Sequence, residues 1–432
     1  MSDPEPPHVE ILSKRSPWGA ILNRTLPNYS GPLPVGVCDV ELPVPRQTFG
    51  AFTHKKMPDA EAGLAMHTVL FSIFYPAQQG WSTTKRVVWF PKLDQTINGF
   101  LKMAKRTPSL LYKTIAYPLA AAAIYGTTFP AKPNAPLREL EPSNPEKKWP
   151  LIIFSHGVGC SRLMYSAFCG EMASRGYIVC AIEHRDGTSP SSTIVTEDGR
   201  AQKLDWLQWS DLDWPDLETQ PADDTVLRHQ QIKLRIAEIE GVIKAMTRLS
   251  RGEDITKTSI DTPDFDWSRW RSVDTNKPII AGHSLGGSAA IAAAADHRFD
   301  FGSVLAFDPA VQRLEPWSLP IPAPLLVINS EEYTKGSEFQ LLAKVVKYAT
   351  SSLVFSIGGA THPSFSDVFL ILPSYLNRRT GLRIDSDKVI SLCVRAATQF
   401  LNGNGQRAKE MAQTSSGVEG KMEAGAFIYH KL

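Results

Sequence analysis

The chain has 432 residues, 43% of them hydrophobic, enough for a large buried core and for one α/β domain carrying insertions. A formal net charge of +2 argues against nucleic acid as the main partner. The five cysteines are odd in number and form no C-x-x-C pair, which argues for buried, reduced thiols over a disulfide framework or a zinc site.

The first residues, Met1-Ser2-Asp3-Pro4-Glu5-Pro6-Pro7, are polar and proline-rich and hold no apolar core of a secretory signal. Ser2 stands where a myristoylation motif needs glycine. No apolar run is long enough for a membrane-spanning helix. Residues 1–45 read as an extended, loosely tied N-terminal extension, with turn residues at Asn28-Tyr29-Ser30-Gly31-Pro32.

His67–Pro76 reads as a strand, and Trp149–Ser155 as a nearly continuous apolar run of the kind that parallel strands show. Similar runs follow at Tyr177–Ile182, Pro278–Ala281, Ser303–Phe307, Pro324–Asn329 and Ser352–Ile357. Helical segments lie between most of them. Met164–Ser174 is one, and Val226–Leu249 is another, with Ile232, Ile236, Ile239, Ile243 and Met246 at helical spacing. This alternation predicts a mostly parallel central sheet with helices on both faces, over residues 46–402. Segments 92–135 and 188–225 break the alternation and read as lid-like insertions near the active-site end. Residues 403–432, rich in Gly, Lys, Glu and Ser, read as a mobile tail.

Gly282-His283-Ser284-Leu285-Gly286 lies between the run Pro278–Ala281 and a helix-like run from Ser288 to Ala295. Strand, G-x-S-x-G and helix make the setting of a nucleophile elbow, whose tight turn needs small residues beside the serine. A serine nucleophile needs a base, and the base an orienting carboxylate, in the chain order Ser, Asp/Glu, His. Asp308 ends the strand Ser303–Phe307, and His362 follows the last strand, within Gly358-Gly359-Ala360-Thr361-His362-Pro363. Asp296 and Asp300 are rivals in a helix end and its loop, and Asp367 has the wrong order. His283 reads as structural, pointing away from the nucleophile. The oxyanion needs two backbone N–H donors. Leu285 supplies one, and the turn Ser155-His156-Gly157-Val158-Gly159 the other, from Val158 or, second, Gly157. The sequence has no metal or nucleotide motif, so neither a metal nor a cofactor is expected.

These blocks resemble the platelet-activating factor acetylhydrolase family, calcium-independent group VII phospholipases A2, from about Gly31 to Asn402. The resemblance rests on Phe154–Gly159 with Tyr165-Ser166, on Ile182-Glu183-His184-Arg185-Asp186-Gly187, on Gly282–Gly287, on Ile328-Asn329-Ser330-Glu331 and on His362-Pro363-Ser364-Phe365-Ser366-Asp367. It implies an α/β-hydrolase fold and hydrolysis of sn-2 acetyl or short, often oxidised, acyl esters of phospholipids. It supports Ser284, Asp308 and His362 as the triad and Val158 and Leu285 as oxyanion donors, and makes Glu183–Asp186 a structural charge network. Many members have Phe after the nucleophile, where this chain has Leu285.

The resemblance also places Leu101–Phe129 where the family touches membranes. Leu110, Leu111, Ile115 and Leu119, with nearby lysines, then form an interfacial surface, and a lid packed on the core is the other reading. The expected partner is therefore a phospholipid at a membrane or micelle surface. A general short-chain carboxylesterase and a non-catalytic binding protein of the same fold are the competing functions. The expected location is the cytoplasm, not outside the cell, with a weak peroxisomal alternative in His430-Lys431-Leu432.

Overall fold

The computed structural model describes residues 16–55, 62–104, 117–140, 147–195, 201–255, 265–414 and 421–432. An eleven-stranded sheet runs through it. In chain order its strands are β1 (Val35–Phe49), β2 (Leu64–Pro76), β3 (Lys132–Pro133), β4 (Trp149–Ser155), β5 (Ile178–Glu183), β6 (Val273–His283), β7 (Ser303–Phe307), β8 (Leu325–Ser330), β9 (Ser352–Ile357), β10 (Gln413–Thr414) and β11 (Phe427–His430). Their spatial order is β10-β11-β9-β8-β7-β6-β4-β5-β2-β1-β3. The six strands from β9 to β5 are parallel, and β2 and β11 run antiparallel on their two flanks. All six parallel strands are expected from the sequence, because a strand covered on both faces is apolar throughout.

Alternate residues of β4 enter two cores. Ile152 and Phe154 join one with Phe168 and Met172 of the helix Ser166–Ala173 and with Ile390 and Val394 of the helix Ser386–Leu401. Leu151 and Ile153 join the other with Ile239 and Val242 of the helix Thr225–Ser250 and with Ala290 and Ile291 of the helix Leu285–Ala294. The sheet is thus sandwiched between helices, and its parallel strands carry their loops to one end, where ligands bind in open α/β sheets.

Two expectations at the chain's ends need correction. The extension drawn at residues 1–45 cuts through β1, whose first half is buried against β2, Val37 facing Phe74 and Val40 facing Phe71. Here the buried alternation of Cys38, Val40 and Leu42 outweighs the exposed, polar second half. The described part of the tail after residue 402 is not a mobile appendage. Gly405–Glu410 is helical, and β10 and β11 finish the sheet beside β9. Phe427 stacks on Phe355 with centroids 4.6 Å apart, and His430 Nε2 lies 2.7 Å from Ser356 Oγ.

Of the insertions, the first holds the helices Leu93–Met103 and Tyr117–Ile124, and the second a hairpin of Ser191–Val195 with Ala201–Asp205. No helix among the described residues is long and apolar enough to cross a membrane.

Candidate active site

Ser284 sits between β6 and the helix Leu285–Ala294 at φ 57°, ψ −126°. This is a strained conformation for a residue with a side chain, and such strain gathers at functional sites. The turn closes because its flanks are glycine: a Cβ at Gly282 would meet Gly286 O at 2.2 Å, and one at Gly286 would meet Ser155 O at 2.1 Å. Ser284 N–H is held by Phe307 O at 2.9 Å, and its carbonyl accepts from Ala310 at 3.1 Å. The elbow is therefore bolted to the end of β7, where Asp308 lies.

Asp308 is fully buried at φ 40°. Its Oδ1 accepts Ser330 N–H at 2.7 Å, and its Oδ2 accepts Ser330 Oγ–H at 2.7 Å and lies 3.0 Å from His362 Nδ1. The turn His362–Phe365 that carries the histidine is capped by Thr361 and Ser364. Burial alone would lower the His362 pKa, but the Asp308 hydrogen bond and charge, with Glu332 and Glu338 behind, raise it above the usual imidazole value. Asp308 and His362 thus meet beyond the carboxyl ends of β7 and β9, with Ser284 at the carboxyl end of the neighbouring β6. Asp296 lies instead in an ion pair with Arg298, and Asp367 receives Ser166 and Ala167 N–H at the start of the helix Ser166–Ala173.

The turn after β4 is where the second oxyanion donor is expected. Gly157 N–H donates to Tyr165 Oη at 3.1 Å and Gly159 N–H to Thr188 O at 2.8 Å, with Val158 between them. Leu285 opens its helix, where an N–H has no acceptor within the helix.

Beneath the turn lies a polar layer that sequence periodicity missed. The helix Thr225–Ser250 buries Arg228, Gln231, Arg235 and Glu238, spaced three and four apart. Arg235 donates to Asp186 Oδ2 at 2.7 Å, His156 O at 2.6 Å and Thr188 Oγ1 at 2.8 Å. The apolar rule drops such a stripe, although its spacing is the visible signal. Ser155 Oγ, His184 and Glu238 are joined at 2.7 and 2.5 Å in a second serine–histidine–carboxylate line. Its three members are 0–1% exposed, so substrate is shut out and the line braces the turn.

His283 departs from its expected place. Its ring centroid is 4.6 Å from that of His362, and its Nδ1 is 2.7 Å from Tyr165 Oη. Ligand atoms of His283, Asp308 and His362 lie within 4.8 Å of one another. Nδ1 of His362 is engaged by Asp308 and Nδ1 of His283 by Tyr165.

Leu110, Leu111 and Ile115 lie outside the described residues, while Leu119 is 66% exposed. It does not stand alone. Trp18, Leu22 and Tyr125 are also more than half exposed. Segment 24–26 is tied to Thr128, which pairs with Val88. The neighbouring helix Leu93–Met103 reaches the turn after β4, where a Cβ on Gly159 would lie 2.9 Å from Met103 Cε.

Sheet, elbow and the order serine, aspartate, histidine together define an ester hydrolase of the α/β-hydrolase fold. Comparison narrows this. Residues 19–424 match the model of the family described as platelet-activating factor acetylhydrolase, isoform II, and the chain belongs to that family. The platelet-activating factor acetylhydrolase of Canis lupus familiaris is 31% identical over 367 residues, 81% of this chain and 75% of that protein. Its namesake from Gallus gallus is 28% identical over 361 residues, covering 78% of each. Among solved structures, a ferulic acid esterase from Streptomyces cinnamoneus shares the fold, with a TM-score of 0.56 at 16% identity, covering 88% of this chain and 92% of that one.

Proposed function

We propose that the protein hydrolyses the sn-2 acetyl or short, often oxidised, acyl ester of glycerophospholipids, as in 1-alkyl-2-acetylglycerophosphocholine, through an acyl-enzyme on Ser284. The observation that carries the chemistry is the Asp308–His362 contact of 3.0 Å beside a strained serine elbow. The substrate class follows from family membership and the names of the relatives.

In this reading His362 Nε2 takes the Ser284 Oγ proton as the oxygen attacks the sn-2 carbonyl carbon. Asp308 fixes the tautomer and stabilises the imidazolium. The Leu285 and Val158 amides hold the oxyanion, each contributing about 3 kcal/mol. His362 then protonates the leaving oxygen, and the lysophospholipid departs. Water, deprotonated by the same histidine, releases the short acid and restores Ser284. No step calls for a metal or a cofactor.

The exposed Trp18, Leu22, Leu119 and Tyr125 support a membrane or micelle surface as the place of capture. Arg378 and Arg379, exposed near Ser374, which bonds Pro17 O, add positive charge suited to phosphate headgroups. A cytoplasmic location belongs to the same proposal and rests on the sequence alone.

The deciding experiment compares an sn-2 acetyl phospholipid with its long-chain counterpart, without calcium, using Ser284→Ala as control. Fast release from the acetyl substrate by the unmodified protein alone supports the proposal. Turnover of only a simple soluble ester would make the protein a general carboxylesterase. An unchanged rate in Ser284→Ala would remove the mechanism.

A further inference from the structure

We infer that Tyr165 and His283 are positioning residues of this reaction, holding the 156–159 turn so that Val158, and not Gly157, offers its N–H to the oxyanion. The inference rests on the reading of Ser284 as nucleophile given above.

Tyr165 is 1% exposed and His283 3%. The Tyr165 hydroxyl accepts Gly157 N–H at 3.1 Å and lies 2.7 Å from His283 Nδ1. A phenol has one proton to give, and Nδ1 is placed to take it. That assignment leaves the His283 proton on Nε2, a buried nitrogen that makes no hydrogen bond among the described residues. The strut therefore runs from the 156–159 turn to the residue before the nucleophile, whose ring packs against that of the candidate base His362.

Gly157 has little freedom to turn away. A Cβ there would stand 3.1 Å from Ser284 Cβ and 3.2 Å from both His283 Nδ1 and Tyr165 Oη. Its amide is occupied by Tyr165 and that of Gly159 by Thr188, so among the described residues Val158 has the one N–H of these three that donates to no protein acceptor. The charge of His283 also matters, because imidazolium must form on His362, 4.6 Å away. Burial first, and then the nearby His362, hold the His283 pKa well below the usual value, so His283 stays neutral and does not oppose that charge.

The test uses three variants of the full chain. Tyr165→Phe removes one oxygen. Its kcat should fall about 10- to 100-fold, with KM within about threefold, since the loss is confined to the oxyanion. A long-chain alkyl trifluoromethyl ketone, which adds Ser284 Oγ to its carbonyl carbon and leaves an oxyanion in the hole, should lose affinity by the same factor. His283→Asn keeps an acceptor near the place of Nδ1 and should retain more activity than His283→Leu, which should match Tyr165→Phe. Melting temperatures report whether each variant folds.

The inference is overturned if folded Tyr165→Phe keeps both kcat and ketone affinity within about twofold. Equal rates for His283→Asn and His283→Leu would overturn it as well, even if Tyr165→Phe did not fold. Failure of the esterase reading looks different: unmodified protein and Ser284→Ala would then turn over alike, and the ketone would bind neither.

Discussion

Glu332 Oε2 accepts the backbone N–H of His362 at 2.9 Å, so a second carboxylate stands behind the candidate base in addition to Asp308. The base works only when neutral, and its pKa is raised despite burial. The acid limb of kcat/KM should therefore lie above the ordinary imidazole value, with activity lost as pH falls through it. Glu332→Gln keeps an acceptor for the N–H but removes the charge. The limb should move to lower pH, read from kcat/KM profiles of both proteins. An unmoved limb would mean that Asp308 and Glu338 set it without Glu332.

Arg235 joins Asp186, Thr188 and the His156 carbonyl in a site where its own side chain and that of Asp186 are 0% exposed. Burial would raise the Asp186 pKa, but the Arg235 charge more than offsets this and holds it below the usual range. Arg235→Met strands the carboxylate and should cost on the order of 3–5 kcal/mol. Adding Asp186→Asn should recover part of the loss. Urea midpoints of the single and double variants check this, and equal midpoints would refute it.

His156 accepts His184 N–H at Nε2 and faces Gly157 O at Nδ1, a pattern that requires a neutral ring. Burial, then the Arg235 charge, pull its pKa down to about 4, and burial does the same to His430. A folded-state pKa below the unfolded value means that the unfolded chain binds more protons between the two. Stability is thus complete above pH 6.5 and falls as pH drops towards about 4. Each depressed unit contributes about 1.4 kcal/mol. Denaturant titrations at stepped pH should show this slope, and His430→Gln should flatten it.

The exposed Trp18 and Leu22 should matter only where lipid is aggregated. Trp18→Ser with Leu22→Ser should lower the rate on phospholipid vesicles about tenfold or more, since roughly 1.5–3 kcal/mol is lost per large apolar side chain that no longer buries. Hydrolysis of a monomeric soluble ester should be unchanged. A parallel fall on both substrates would assign the two residues to folding instead.

Much of this was legible in the sequence because parallel strands advertise themselves. Leu151–Phe154 or Leu325–Ile328 must be apolar on both faces, and the Ser284 elbow must have small flanks whatever the rest of the fold does. Phe427–His430 escaped notice because one short antiparallel strand among polar residues has no such signature. Arg235 and Glu238 escaped because a helix is read by its apolar stripe, and these polar side chains are buried by partners far off in the chain. The same holds for His283, whose surroundings come from Tyr165 and His362, neither of them its neighbour in sequence.

Glu331 accepts Gly359 N–H at 2.7 Å and Met422 N–H at 3.1 Å, and Gly358 N–H donates to Ala426 O at 2.8 Å. The loop carrying His362 is therefore fastened to a stretch of chain that follows every candidate catalytic residue. A ribosome makes Ser284, Asp308 and His362 first and their fastening later. A nascent chain that has extruded all three still lacks the strand that steadies its base, so competence arrives late in synthesis, after the chemistry has been written.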